Sequence, residues 1–104
     1  MMLLTPELTP RSIARCRAGV LAREVGGEMV LLDVDLGIYY GLNEVGTRAW
    51  TLLAEGATLG EVEERMSAEF EVDRPTLHAD LRGLLRDLAE HGLIDVTSPD
   101  LSPG

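Results

Sequence analysis

The feature that most constrains this chain is a change of period at Asn43. Up to Leu42 the apolar residues of Ile38-Tyr39-Tyr40-Gly41-Leu42 suit a strand. From Val45 on they recur at i, i+4, i+7 and i+8, as Val45, Ala49, Leu52 and Leu53 with Trp50 beside them. A strand must therefore run into a helix with almost no loop. Asn43 stands where an N-cap belongs, and Gly56 follows the last apolar residue where a C′ glycine belongs. A chain built around this junction is neither a helix bundle nor a pure sandwich; it is α+β.

The flanking pattern extends the reading in both directions. Residues 19–25 and 28–34 read as two strands, separated by Gly26-Gly27, a pair suited to a hairpin turn because both positions tolerate φ > 0. The second strand is mostly apolar, which predicts cover on both faces. Asp35-Leu36-Gly37 turns the chain into a third strand at 38–42, giving a three-stranded meander. After the helix at 44–55, Thr58-x-x-Glu61 matches a capping box and opens a second helix carrying Leu59, Val62, Met66 and Phe70. A third helix starts near Pro75, a good first-turn residue, with Leu77, Leu81, Leu84, Leu85 and Leu88 as its stripe and Gly92 after its end. Leu93-Ile94-Asp95-Val96 returns as a last strand or a hydrophobic clasp. The predicted fold is a winged helix-turn-helix: a three-stranded antiparallel sheet followed by three helices. Residues 1–15, with Pro6 and Pro10 and no period, are expected to form a flexible arm, with at most a helical turn at 11–15. Residues 16–96 form the folded domain, and 97–104 a disordered tail.

Charge and cysteine usage narrow the function. The 104 residues carry 18 acids against nine arginines and no lysine, a formal net charge of −9 that repels phosphate backbones. Nucleic acid is therefore not an expected partner, and a basic one is. The single cysteine, Cys16, excludes an internal disulfide and fits a cytoplasmic setting. No apolar run is long enough to span a membrane, and no basic, apolar start marks a signal peptide. His78 and His91 are thirteen residues apart and have no ligand cluster around them, so neither a metal nor another cofactor is expected. The glutamates at 61, 63, 64, 69 and 71 read as a solvated helix face rather than a catalytic carboxylate pair. No nucleophile, phosphate loop or acid–base pair points to an enzyme.

Two constellations remain. Strand alternation sends Tyr39 and Gly41 to one face, and Ile38, Tyr40 and Leu42 to the other. Both rings could simply pack. Should this strand end the sheet, however, its free N–H and C=O groups could accept an added peptide strand, and a proline at Tyr40 is expected to remove one donor. The third helix has a second face made by Thr76, Asp80, Gly83 and Asp87. Its small residues would admit a peptide, and its two aspartates would meet a basic side chain; the plain alternative is a solvated flank. The same helix read as a DNA-recognition helix is poorly supported, because Arg74, Arg82 and Arg86 are balanced by Asp80, Asp87 and Glu90.

In order, Val30-Leu31-Leu32-Asp33, Gly37-Ile38-Tyr39-Tyr40-Gly41-Leu42-Asn43, Ala49-Trp50-x-Leu52-Leu53, Gly56-x-Thr58-x-x-Glu61-Val62, Leu77-x-x-Asp80-Leu81 and Leu84-x-x-Leu88-x-x-x-Gly92-Leu93-Ile94 resemble the PqqD-like family of peptide-recognition proteins. The match spans roughly residues 17–96. It implies a non-catalytic RiPP recognition element whose strand and third helix hold the leader of a precursor peptide. Carried over, the leader-binding residues are Ile38, Tyr39, Tyr40, Gly41, Leu42, Thr76, Leu77, Asp80, Gly83, Leu84 and Asp87. The Tyr-Tyr-Gly-Leu-Asn-Glu-Val-Gly wording resembles the stand-alone proteins of lasso peptide biosynthesis, which implies a leader peptidase and a cyclase as further partners. A chaperone for a radical-enzyme-modified precursor, such as that of pyrroloquinoline quinone, is the alternative. An exposed strand edge leaves monomer and weak homodimer both open.

Overall fold

Gly26 and Gly27, with φ of 59° and 85°, close a two-residue hairpin between β2 (Val20–Val25) and β3 (Glu28–Asp33). β3 then pairs antiparallel with β4 (Ile38–Gly41), so the sheet order is β2-β3-β4. These elements belong to a computed structural model that describes residues 7–99. In the β3–β4 turn the Asp33 carboxylate accepts from the amides of Asp35 and Leu36, and Gly37 takes φ of 68°.

Three helices follow the sheet, as the sequence predicts: α1 (Glu44–Ala54), α2 (Leu59–Glu69) and α3 (Arg74–Glu90). Each begins with a side-chain cap. Asn43 accepts from the Gly46 amide, Thr58 forms the complete capping box with Glu61, and Asp73 accepts from the Thr76 amide with Pro75 in the first turn. Gly56 takes φ of 97° just past α1.

The helices cover one face of the sheet. Leu31 is 0% exposed among Leu42, Ala49, Leu52, Leu81 and Leu88 in the core cluster. Burying a leucine of this kind stabilises by about 1.5–3 kcal/mol. The prediction that β3 is covered on both faces needs correction. Leu32 is only half-buried, and its cross-strand partners Leu21 and Tyr39 are exposed, because the described helices pack on the other face of the sheet.

A further strand lies where the sequence suggested the end of an arm with a helical turn. Ile13–Cys16 form β1, paired antiparallel with β5 (Ile94–Thr97) as a separate two-stranded sheet. Ile-Ala-Arg-Cys has no strand period of its own; its conformation is fixed by a partner some eighty residues away. Ser12 Oγ lies 2.7 Å from Ser98 Oγ, which donates to the Glu7 carbonyl, so the two ends of the domain are tied together. The remaining parts of the expected arm and tail, residues 1–6 and 100–104, lie outside the described residues.

Candidate functional site

The junction that the sequence marked also builds a groove. Thr47, buried in the first turns of α1, accepts from the Met29 amide at 2.8 Å and donates to the Leu42 carbonyl at 3.3 Å. It pins α1 to both β3 and the end of β4. Gly46 permits this approach: a Cβ there would lie 3.3 Å from Asn43 Oδ1 and 3.4 Å from Leu42 Cβ. With the start of α1 held against β4, and α3 crossing beyond it, a groove of about 720 Å³ opens between strand and helix.

Of the residues expected to act together, Tyr40, Gly41, Leu42, Leu77, Asp80, Gly83, Leu84 and Asp87 line this groove. Ile38, Tyr39 and Thr76 do not. Ile38 and Tyr39 are 49% and 73% exposed further along β4, and Thr76 is engaged by Asp73, which accepts from both its amide and its hydroxyl. The sequence reading missed Asn43, Val45, Gly46, Phe70, Glu71, Val72, Ala79 and Leu81, which complete the walls. Ala79 could have been found, since it lies four residues before Gly83 on the same small-residue face. Phe70 and Val72 could not, because they sit in the α2–α3 connection and reach the groove only through helix packing.

The groove is acidic. Glu71, Asp80 and Asp87 line it and no arginine does. Tyr40 sits at one end, its ring edge-on to His91 with centroids 5.6 Å apart. Its phenol is pushed above the usual tyrosine value, first by burial and then by the Asp87 carboxylate beside it. Tyr40 therefore stays a neutral hydrogen-bonding group at physiological pH. Gly83 and Gly41 leave space: a Cβ on either would meet nothing within 4 Å. The Glu63–His78 contact, at 2.7 Å, lies off the groove lining. Among the described residues no group of His, Cys, Asp and Glu is placed to hold a metal.

The backbone of β4 matters as much as its side chains. Just past β4 the Leu42 amide donates to the Met29 carbonyl, which with the β3–β4 register makes Tyr40 and Ile38 the β4 residues bonded to β3. The amides and carbonyls of Tyr39 and Gly41 consequently point to the free edge, since among the described residues β4 pairs with no strand on that side. This corrects the expectation for proline at Tyr40. That substitution would remove a bond inside the sheet, and the donors available for strand addition are those of Tyr39 and Gly41.

The comparisons with known proteins fit this geometry. The model of the family described as Coenzyme PQQ synthesis protein D (PqqD) matches residues 28–94. The chain belongs to the PqqD family. A solved structure described as TbiB1 in complex with the TbiA(beta) leader peptide is similar at 41% identity and a TM-score of 0.73, covering 78% of this chain and 94% of that one. A lasso peptide synthetase B1 complexed with the leader peptide is similar at 28% identity and a TM-score of 0.74, covering 79% and 96%. No curated protein matches the chain. In this PqqD-family chain the region shared with the family runs from β3 into β5, and so contains the whole strand–helix groove. Among the described residues no helix is long and apolar enough to cross a membrane.

Proposed function

We propose that this protein is a non-catalytic recognition element that binds the leader of a ribosomally made precursor peptide. The leader adds as a strand along β4, bonded to Tyr39 and Gly41, with alternate side chains entering the groove against α3. The observation that carries the reading is the β4 edge, unpaired among the described residues, running beside that groove. Support comes from two similar proteins whose structures hold leader peptides. Leucines and Val72 would take the leader's apolar side chains, and Asp80 or Asp87 a basic one.

Binding would present the leader to a separate peptidase, and then a cyclase, in lasso peptide biosynthesis. The protein's contribution is local concentration: a tethered precursor meets the peptidase at an effective concentration set by the tether rather than by bulk solution. The family's description favours a second reading, in which the bound peptide is the precursor of a quinone cofactor handed to a radical enzyme. Both use the same edge and differ in the peptide. Fluorescence anisotropy with the labelled leader of the precursor encoded nearest this chain's gene, against a scrambled control, tests the reading. Saturable binding of the native leader alone is expected. Equal binding of the scramble, or none at high protein concentration, overturns it.

A further inference from the structure

One wall of the leader groove has little backbone support of its own. Phe70, Glu71 and Val72 form it, and they are the connection between α2 and α3. Its backbone bonds are short-range: the Phe70 amide donates to the Met66 carbonyl, and the Val72 amide to the Phe70 carbonyl. Phe70 and Val72 are only partly buried. Toward α3 the wall is fastened by Asp73, which caps that helix, and by Arg74 Nη1 donating to Ser67 Oγ at 3.3 Å.

Toward α1 it is fastened by a fork of two hydrogen bonds. Arg48 donates from Nε to Glu69 Oε1 at 2.8 Å and from Nη2 to Glu69 Oε2 at 3.0 Å. Such parallel bonds fix orientation as well as distance. Glu69 is the last residue of α2 and immediately precedes Phe70. Arg48 follows Val45 and Gly46, which line the same groove from the start of α1. Among the described residues the fork is the one side-chain link of this kind between α1 and α2.

The core does not need this fork. Ala49, Leu52 and Leu53 of α1 and Leu59, Val62 and Met66 of α2 already lie buried in one cluster. The side chains of Arg48 and Glu69 are 38% and 40% exposed, where an ion pair adds little to stability. Both also stand at the wrong helix ends. Glu69 puts a negative charge at the C-terminus of α2, whose last turn holds no basic residue, and Arg48 puts a positive one near the start of α1. The fork holds the Glu69 carboxyl below the usual glutamate range and raises the Arg48 guanidinium, so both stay charged at physiological pH. A pair that breaks a local rule and adds little to the core is accounted for by what it holds in place.

We infer that Arg48 and Glu69 are positioning residues for leader recognition: their fork sets the start of α1 against the Phe70–Val72 wall, so that the groove is formed before the peptide arrives. The inference rests on the recognition reading above. Neither side chain lines the groove, so both act through Phe70 and Val72. Without the fork the leader must order the wall as it binds, and that ordering weakens binding.

Arg48→Ala and Glu69→Ala test this by calorimetric titration with the leader of the precursor encoded nearest this chain's gene. Both variants should melt within a few degrees of wild type, yet bind the leader about 3–10-fold more weakly, the size expected for ordering one side chain on binding. The reversed pair, Arg48→Glu with Glu69→Arg, suits both helix dipoles and should restore affinity. In the free protein, the amides of Phe70 and Val72 should exchange with deuterium faster in Arg48→Ala, while those of Val62 and Met66 keep their rates. Across an alanine scan of the leader, the loss caused by Arg48→Ala should vanish at the leader residues seated on the wall and persist at the others. A loss uniform across that scan, an affinity that merely follows the melting temperature, unchanged exchange at Phe70 and Val72, or unchanged affinity would each overturn the positioning role. If the wild-type protein bound no leader, the recognition reading itself would fall, and the positioning role with it.

Discussion

Tyr39→Pro isolates the backbone of β4 from everything else in the leader groove. Proline removes the Tyr39 amide hydrogen, which faces the free edge, and leaves the bonds from Ile38, Tyr40 and Leu42 to β3 intact. A proline whose missing N–H faces outward from an edge strand is tolerated. The fold should survive, with a melting temperature close to that of Tyr39→Ala. Binding should not survive unchanged. An intramolecular hydrogen bond contributes about 1 kcal/mol net, and an acceptor left unsatisfied at an interface costs about 1–3 kcal/mol. A leader carbonyl that loses this donor should therefore bind more weakly by about 1–2 kcal/mol, a factor of roughly 5–30. Tyr39→Ala separates the loss of the 73%-exposed ring from the loss of the donor. Tyr40→Pro supplies the opposite control: it breaks a β3–β4 bond and should lower the melting temperature. Calorimetric titration of folded variants with the leader would measure all three. If Tyr39→Pro and Tyr39→Ala bound the leader equally well, strand addition at this edge would be refuted.

Other perturbations address the walls and the caps. Gly83→Leu places a side chain in open groove space and raises helix propensity by up to about 1 kcal/mol, so stability should hold or rise while leader affinity falls at least about tenfold; unchanged affinity would mean the leader does not lie over Gly83. Asp80→Lys should weaken a leader that carries a basic residue, most strongly at low salt, and equal affinity at low salt would remove that contact. Leu31→Ala should cost about 2–5 kcal/mol by urea unfolding, since Leu31 is 0% exposed, and a loss below about 1 kcal/mol would mean the core closes over the cavity. The Asp73 carboxyl is held below the usual aspartate range, chiefly by the Thr76 hydroxyl and then by the Thr76 amide. Because its folded pKa is depressed, its stabilisation is present above about pH 4 and is lost as pH falls through the folded value. Asp73→Asn keeps the cap without the titration, so the wild-type advantage in melting temperature should shrink as pH falls below about 4.

The parts of the fold set by local chemistry were legible in the sequence. Asn43, Thr58 with Glu61, and Asp73 with Pro75 cap the three helices through contacts three residues away, and Gly26-Gly27 closes its hairpin unaided. β1 was not legible because Ile13–Cys16 become a strand only by pairing with β5 across the domain. The open outer face of β3 was missed for a similar reason: Leu32 and Leu31 look alike in sequence, and only the placement of the helices makes one core and the other half-buried. Residues of β4 and of the α3 face singled out in the sequence line one groove. Phe70, Glu71 and Val72 joined them only once the α2–α3 connection was placed in space.

The two tyrosines show how one strand divides its work. Along β4, side-chain direction and hydrogen-bond direction both alternate with period two, so they are locked together. Tyr40 turns its ring to the groove and its backbone to β3; Tyr39 turns its ring outward and its backbone to the free edge. An added leader that runs antiparallel to β4 inherits the same alternation. Leader residues bonded to Tyr39 and Gly41 point their side chains to the outer face, while those that fill the groove have backbones turned away from β4. Affinity from the main chain and selectivity from the side chains therefore fall on alternate leader residues. N-methylating leader residues one at a time should weaken binding at every second position of the paired segment, and alanine substitution should weaken it at the positions between. If both scans peaked at the same positions, the leader would not lie in this groove as an antiparallel strand.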